Sequence, residues 1–193
     1  EARAYPTERG LSGAAVKRFG LGFSPDEPHA LYNHMRKLGY NDNELIAGFL
    51  CGISKRSGKP YDYFRGRIIF PVIDTAGAVI AFGGRVTDGS LPKYLNTSDT
   101  PAFQKRKNLF ALNFAKNHCG EGFILCEGYM DVIALHEAGF GQAVATLGTA
   151  ITPEQARIMR RYTDRVLISY DNDSAGQSAA KKAFRLLGEA GID

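Results

Sequence analysis

After Gly120 the hydrophobic pattern is regular: a short apolar run, then a glycine or an acid, then a stretch with apolar residues three and four apart. Phe123-Ile124-Leu125-Cys126 predicts a strand ending at Glu127-Gly128, and Tyr129 to Glu137 predicts a helix stopped by Gly139. Ala143-Val144-Ala145-Thr146-Leu147 predicts a second strand ending at Gly148. Thr152-Pro153-Glu154-Gln155 reads as a capping box with proline at the first helical position, opening a helix to about Tyr162. Val166-Leu167-Ile168-Ser169-Tyr170 predicts a third strand running into Asp171-Asn172-Asp173. Ser174-Ala175-Gly176-Gln177 offers another capping box. The helix it opens carries Ala179, Ala180, Ala183, Phe184 and Leu187 on one face and Lys181, Lys182 and Arg185 opposite. Strand and helix alternating three times predict a mainly parallel, doubly wound α/β sheet.

Upstream the pattern is mixed. Ser12 is placed to cap a helix over Ala14 to Phe19 that Gly20 closes, His29 to Leu38 has helical period and meets Gly39, and Asn43 is placed to cap a helix from Glu44 to Leu50. From Lys55 the character changes. Arg67 to Ile73 and Ala78 to Phe82 are β-branched and aromatic runs around Asp74-Thr75-Ala76-Gly77, a hairpin in which Gly77 takes the positive φ. Gly83-Gly84 then predicts a bulge or a close backbone approach. Leu91 to Lys107 reads as a loop carrying Lys93, Tyr94, Lys105, Arg106 and Lys107. The expected organisation is an α+β basic subdomain at 1–117 followed by an α/β unit at 118–193.

Composition narrows the class. Hydrophobic residues make up 44% and charged residues 23% of 193, which excludes disordered, collagen-like and coiled-coil chains. No apolar run approaches the ~18 residues of a membrane span, and Glu1 to Pro6 leads into no apolar core of a secretion signal. The chain has no initiator Met and reads as a piece of a longer protein. Cys51, Cys119 and Cys126 form no C-x-x-C pair, so they read as reduced small hydrophobes in a cytoplasmic protein, with no structural zinc expected. Charge is uneven: residues 1–117 carry a net +7 and residues 118–193 a net −3, within a total of +4. A basic half beside an acidic half suits a polyanion-binding protein with a cation site, although a solvated surface of uneven charge gives the same count.

The acids sit where doubly wound sheets do their chemistry, beyond the carboxyl ends of the strands. Glu127 follows the first strand of the α/β unit, and Asp171 and Asp173 follow the third. Residues two apart in extended chain share a face. Carboxylates so held repel one another unless a cation neutralises them. Oxygen-only ligation favours Mg²⁺ or Mn²⁺ over Zn²⁺. The plainer alternative is that Asp173 caps the next helix while Asp171 is solvated. Gly148-Thr149 is equally a tight turn or a place for an anion to approach.

Three motifs carry a resemblance: Glu127-Gly128-Tyr129-Met130-Asp131, Ala145-Thr146-Leu147-Gly148-Thr149 and Tyr170-Asp171-Asn172-Asp173-Ser174-Ala175-Gly176. They resemble the TOPRIM domain of bacterial DnaG-type primases. Arg65-Gly66-Arg67-Ile68-Ile69-Phe70-Pro71, Phe82-Gly83-Gly84-Arg85, Pro92-Lys93-Tyr94-Leu95-Asn96 and Phe103-Gln104-Lys105 resemble the rest of that family's RNA polymerase core. The likeness runs from about Arg9 to the C-terminus. It implies that Glu127, Asp171 and Asp173 coordinate Mg²⁺, which Mn²⁺ can replace, with Asp131 a further acid near the metal. A helix N-terminal acid favoured by the dipole also accounts for Asp131. The resemblance further implies that Arg65, Arg67, Arg85, Lys93, Tyr94, Lys105 and Lys107 handle template phosphates and the incoming nucleotide, where each cation alone reads equally as a surface charge. Arg106 stands where many relatives have a small residue. A further acidic motif, a zinc-binding template domain and a helicase-binding domain are implied beyond this chain.

The implied function is DNA primase: synthesis of short RNA primers on single-stranded DNA by metal-dependent nucleotidyl transfer from NTPs. The implied partners are the single-stranded DNA template, NTPs and, through the parent protein, the replicative helicase and single-stranded DNA-binding protein, with a monomeric chain and no membrane. Three alternatives share features with it. A haloacid-type phosphatase also places D-x-D after a strand, but after the first one. A TOPRIM nuclease or topoisomerase shares the acids, and a degenerate core would bind single-stranded DNA without catalysis.

Overall fold

The computed structural model describes residues 10–193. The reading of Glu1 to Pro6, and the start of the likeness at about Arg9, lie outside the described residues. The chain forms two units, one comprising residues up to Pro71 with Ile80–Gln104, the other Val72–Val79 with Lys105–Asp193. Among the described residues no helix is long and apolar enough to cross a membrane.

In the first unit α1 (Gly13–Arg18) begins at Ser12, whose hydroxyl accepts from the Ala15 N–H at 3.0 Å. β1 (Gly22–Ser24) and α2 (Ala30–Lys37) follow. His29 contributes no side-chain cap to α2. Instead the buried Asp62 carboxylate accepts from the N–H groups of Leu31 (2.7 Å) and Tyr32 (2.9 Å), satisfying donors that a helix start leaves open. α3 is Asp42–Ala47, starting two residues and ending three residues before the expected Glu44 to Leu50. Its cap is Asn41 rather than Asn43, because Asn41 lies three residues before Glu44 and the two exchange side-chain bonds at 3.1 and 2.7 Å.

β2 (Cys51–Ile53) and β3 (Pro60–Asp62) form a separate antiparallel ribbon, which no periodicity announces in runs of three residues. β4 (Arg67–Ile73), β5 (Val79–Val86) and β6 (Tyr94–Asn96) join β1 in a sheet of order β1-β4-β5-β6. Gly77 takes φ +95° at the hairpin tip, where Asp74 Oδ1 accepts from the Ala76 and Ala78 N–H groups. Two corrections concern this sheet. β5 continues through Gly83-Gly84, and Leu91 to Lys107 is not all loop, since Tyr94–Asn96 pairs antiparallel with Gly83–Arg85. Gly84 is a close approach: a Cβ there would lie 2.7 Å from Phe64 Cδ1 and 3.0 Å from Arg67 Cδ. Phe64, Ile68, Phe70 and Val72 supply buried apolar surface.

The second unit has the predicted alternation. β7 (Phe123–Cys126), α5 (Tyr129–Glu137), β8 (Ala143–Ala145), α6 (Pro153–Arg160), β9 (Val166–Ser169) and α7 (Ser174–Glu189) give a parallel sheet of order β8-β7-β9. Its core includes Phe123, Leu125, Val144, Met159, Ala183 and Leu187. Phe110 extends the β8 edge by exchanging backbone bonds with Ala145 at 2.9 and 3.3 Å, and α4 (Leu112–Ala115) leads from it toward β7. Thr152 and Gln155 form the expected capping box of α6. The second expected box does not form: Asp173 caps α7, accepting from the Gly176 N–H at 2.7 Å, which leaves Ser174 inside the helix. The three cysteines are free thiols, and burial pushes those of Cys51 and Cys126 up to about 12.

Candidate active site and nucleic-acid interface

Parallel pairing of β7 with β9 aligns Cys126 with Ser169, so the residues after each strand emerge at one end of the sheet. Glu127 and Asp171 meet there: the Asp171 N–H donates to Glu127 Oε1 at 3.1 Å. Asp131 lies in the first turn of α5, where its Oδ2 accepts from the Gly128 N–H at 3.1 Å. Partial desolvation raises the Asp131 pKa, and the negative charge of Asp171 raises it further, against the lowering by the Gly128 N–H. Burial, then the Glu127 charge, pushes Tyr170 up to about 12. Glu127, Asp131 and Asp171 therefore share one electronegative loop region.

Of the two readings of Asp173, the helix cap forms. The backbone bends at Asn172 and Asp173, and one Asp173 oxygen is committed to the α7 cap. Among the described residues no three His, Cys, Asp or Glu side chains converge as a ready-made metal cage. The donor chemistry nevertheless fits a hard divalent cation. All candidate donors are carboxylate oxygens, desolvation and then the Asp171 charge raise the Asp131 pKa, and Mg²⁺ is usually held by one or two carboxylates with waters and substrate phosphates. Gly176 was quoted only as part of a motif, but it shapes the site. A Cβ there would fall 2.0 Å from the Asp171 carbonyl oxygen and 2.9 Å from Glu127 Oε1. Gly148 takes φ +75°, and Thr146 Oγ1 donates to the Thr149 carbonyl at 2.7 Å, so that segment is a closed tight turn.

The basic residues divide by environment. Arg67 is buried, donating to the Gly84 and Pro92 carbonyls at 3.3 and 3.0 Å, and desolvation lowers its pKa. Arg85 is also buried, with its guanidinium over the Tyr94 ring at 5.3 Å and a 3.0 Å bond to the Tyr94 hydroxyl. Arg65 and Lys93 are exposed. Lys105–Lys107 forms a 3-10 turn in the second unit with Lys105 half-buried and Lys107 exposed. Arg106, the extra cation, pairs with Glu154 at 2.9 Å.

Sequence reasoning did not single out a cleft of about 760 Å³ in the first unit, lined by Lys55, Arg56, Lys59, Arg65, Tyr61 and Tyr63 among others. Tyr63 stacks on Phe49 with ring centroids 4.1 Å apart, and Tyr61 meets Tyr63 edge-on at 5.4 Å. Gly52 makes room for both rings, since a Cβ there would lie 2.8 Å from Tyr63 Cζ. Cations around aromatic faces suit single-stranded nucleic acid. Residues 55–107 hold ten Lys and Arg against four Asp and Glu, but the strands that gather those cations are too short to predict.

Doubly wound topology with acids at adjacent strand ends defines a Toprim-like unit, and residues 124–193 match the family described as Toprim-like. Residues 1–116 match the DNA primase catalytic core, N-terminal domain, and the chain belongs to that family. It is 48% identical over its whole length to a DNA primase of Clostridium acetobutylicum, of which it spans 32%. Among solved structures it is similar to a DNA primase domain from Pseudomonas aeruginosa (TM-score 0.89, 40% identity, 96% of this chain and 59% of that one). It is also similar to a DnaG primase catalytic domain bound to single-stranded DNA (TM-score 0.85, 37% identity, 96% of this chain and 58% of that one).

Proposed function

We propose that this chain is part of the catalytic core of a bacterial DNA primase, which makes short RNA primers on single-stranded DNA by nucleotidyl transfer from NTPs in the cytoplasm. The observation that carries the reading is the Glu127–Asp171 contact across the β7–β9 strand ends, inside a chain of the primase core family. On this reading residues 1–117 grip the template and residues 118–193 are the Toprim part.

Glu127 and Asp171 would hold Mg²⁺, or Mn²⁺ in its place, with Asp173 and Asp131 completing the negative field. When bound, the cation supplies charge neutralisation for the triphosphate and a lowered pKa for the attacking 3′-hydroxyl. Glu127 fixes the Asp171 backbone, and Asp173 fixes the start of α7. Lys105 and Lys107 bind nucleotide or template phosphates. Arg65, Lys93 and the Lys55–Lys59 cleft grip the template backbone without reading its sequence, while Arg67 and Arg85 shape the strands and Tyr94 that border it. Base pairing with the template selects each nucleotide. The parent protein, working as a monomer, brings helicase and single-stranded DNA-binding protein through its other parts.

The test uses the full-length protein containing this chain. Mn²⁺ binding is followed by electron paramagnetic resonance with and without ribonucleoside triphosphate, beside primer synthesis on single-stranded DNA. Binding that tightens with triphosphate, and weakens with loss of synthesis in Glu127→Gln and Asp171→Asn while DNA affinity persists, supports the reading. Primer synthesis that survives in both variants overturns it.

A further inference from the structure

The basic turn Lys105–Lys107 does not hold itself in place. It is a single 3-10 turn, a geometry with poor internal hydrogen bonds, and its closing bond, Asn108 N–H to the Lys105 carbonyl, is long at 3.4 Å. The start of α6 anchors it. Gln155 is fully buried, and its Nε2 donates to the Lys105 carbonyl at 3.0 Å and the Asn108 carbonyl at 2.8 Å. Between them the Arg106 carbonyl accepts from Thr152 Oγ1 at 2.7 Å. Three carbonyls of the turn thus end on two side chains of one helix start, fifty residues away in sequence.

The choice of amide is informative. A capping box needs only an acceptor at this position, and Gln155 Oε1 provides it to the Thr152 N–H at 3.0 Å. Glutamate would cap equally well. The amide nitrogen is superfluous to the cap, and both of its hydrogens go to the turn. We propose that Gln155 is a positioning residue, which sets the backbone from which Lys105 and Lys107 reach phosphate. This rests on the proposed phosphate-binding role of those two lysines.

The experiment compares Gln155→Glu, Gln155→Met, Lys105→Ala and the Lys105→Ala/Gln155→Met double variant in the full-length protein, with near-ultraviolet circular dichroism confirming the fold. Gln155→Glu keeps the capping acceptor and loses both donors. Gln155→Met keeps the length without placing a carboxylate against two carbonyls, and serves if the glutamate variant fails to fold. Losing the hydrogen bonds that hold the turn is expected to raise the KM for NTP about tenfold with kcat within about twofold, and in the double variant the two effects are expected to combine to less than their sum, because only Lys107 is left to be misplaced. A folded Gln155→Met with unchanged KM, or a double variant in which the two effects are fully additive, overturns the proposal. If Lys105→Ala and a matching Lys107→Ala leave both the KM for NTP and the affinity for template unchanged, the phosphate role of the lysines fails instead. Amide hydrogen exchange over 105–108 then decides the anchoring by itself: faster exchange in Gln155→Met upholds it, and unchanged exchange overturns it.

Discussion

Glu127 Oε1 and the backbone N–H of Asp171 are joined by a 3.1 Å hydrogen bond between residues 44 positions apart, at the ends of adjacent parallel strands. The contact separates structure from charge. Glutamine at 127 still offers an oxygen to the Asp171 N–H but carries no charge, whereas alanine removes both. Glu127→Gln is expected to melt within about 0.5 kcal/mol of the parent and to lose Mn²⁺ affinity and primer synthesis. Glu127→Ala is expected to lose about 1 kcal/mol besides. Paired denaturant melts and metal titrations check this, and a strongly destabilised Gln variant would show that the charge itself holds the loop.

Gly176 lets the start of α7 lie against the acid loop. With a Cβ 2.0 Å from the Asp171 carbonyl oxygen and 2.9 Å from Glu127 Oε1, alanine cannot enter without moving backbone. The residue is helical and not one that takes positive φ, so the cost is steric. Gly176→Ala is expected to lose about 1–3 kcal/mol of stability and to weaken Mn²⁺ binding, because the same displacement opens the Glu127–Asp171 contact. A melt and a metal titration on one preparation are enough. Unimpaired metal binding would show that the site tolerates the shift.

The Toprim-like unit was legible in the sequence because each of its strands is an apolar run closed by a glycine or an acid, and because Thr152-Pro153-Glu154-Gln155 marks the start of α6. Glu127 and Asp171 were readable for the same reason: they sit where those runs stop. Asp173 was readable as the cap of the next helix, the plainer of its two readings, and that bond forms. In the first unit the ribbon of Cys51–Ile53 and Pro60–Asp62 has too few residues for a period. Asn41 lost out to Asn43 because either asparagine starts a helix, and only the spacing to Glu44 decides between them. The burial of Arg67 was hidden as well, for its carbonyl partners at Gly84 and Pro92 depend on a sheet that local pattern does not reveal.

The cleft around Tyr61 and Tyr63 is expected to bind single-stranded DNA by stacking inside a ring of cations. Tyr61→Ala should weaken binding by about 1–3 kcal/mol, nearly regardless of base sequence. Lys55→Ala and Lys59→Ala should each lower the slope of log affinity against log salt by about one. Fluorescence anisotropy across a salt series measures both. Lysine variants that weaken binding without changing the slope would mean that the cations act on the fold and not on phosphate.

Glu154 gives the basic turn a pH-dependent tie to α6. Its own backbone N–H at the helix start, and then the Arg106 and Arg157 charges, hold its carboxyl below the ordinary glutamate range. A depressed folded pKa means that the ionised form is favoured by folding. The contribution is therefore present at neutral pH, begins to fade near the unfolded value of about 4.3, and is lost as pH falls through the folded pKa. Glu154→Gln is expected to be less stable than the parent at pH 7 and to match it once the pH has fallen below the folded Glu154 pKa. The gap at pH 7 should narrow in salt, because the Arg106 partner at 2.9 Å is exposed. Urea midpoints measured against pH for the two proteins test the sign: curves that meet at neutral pH and part in acid would contradict it.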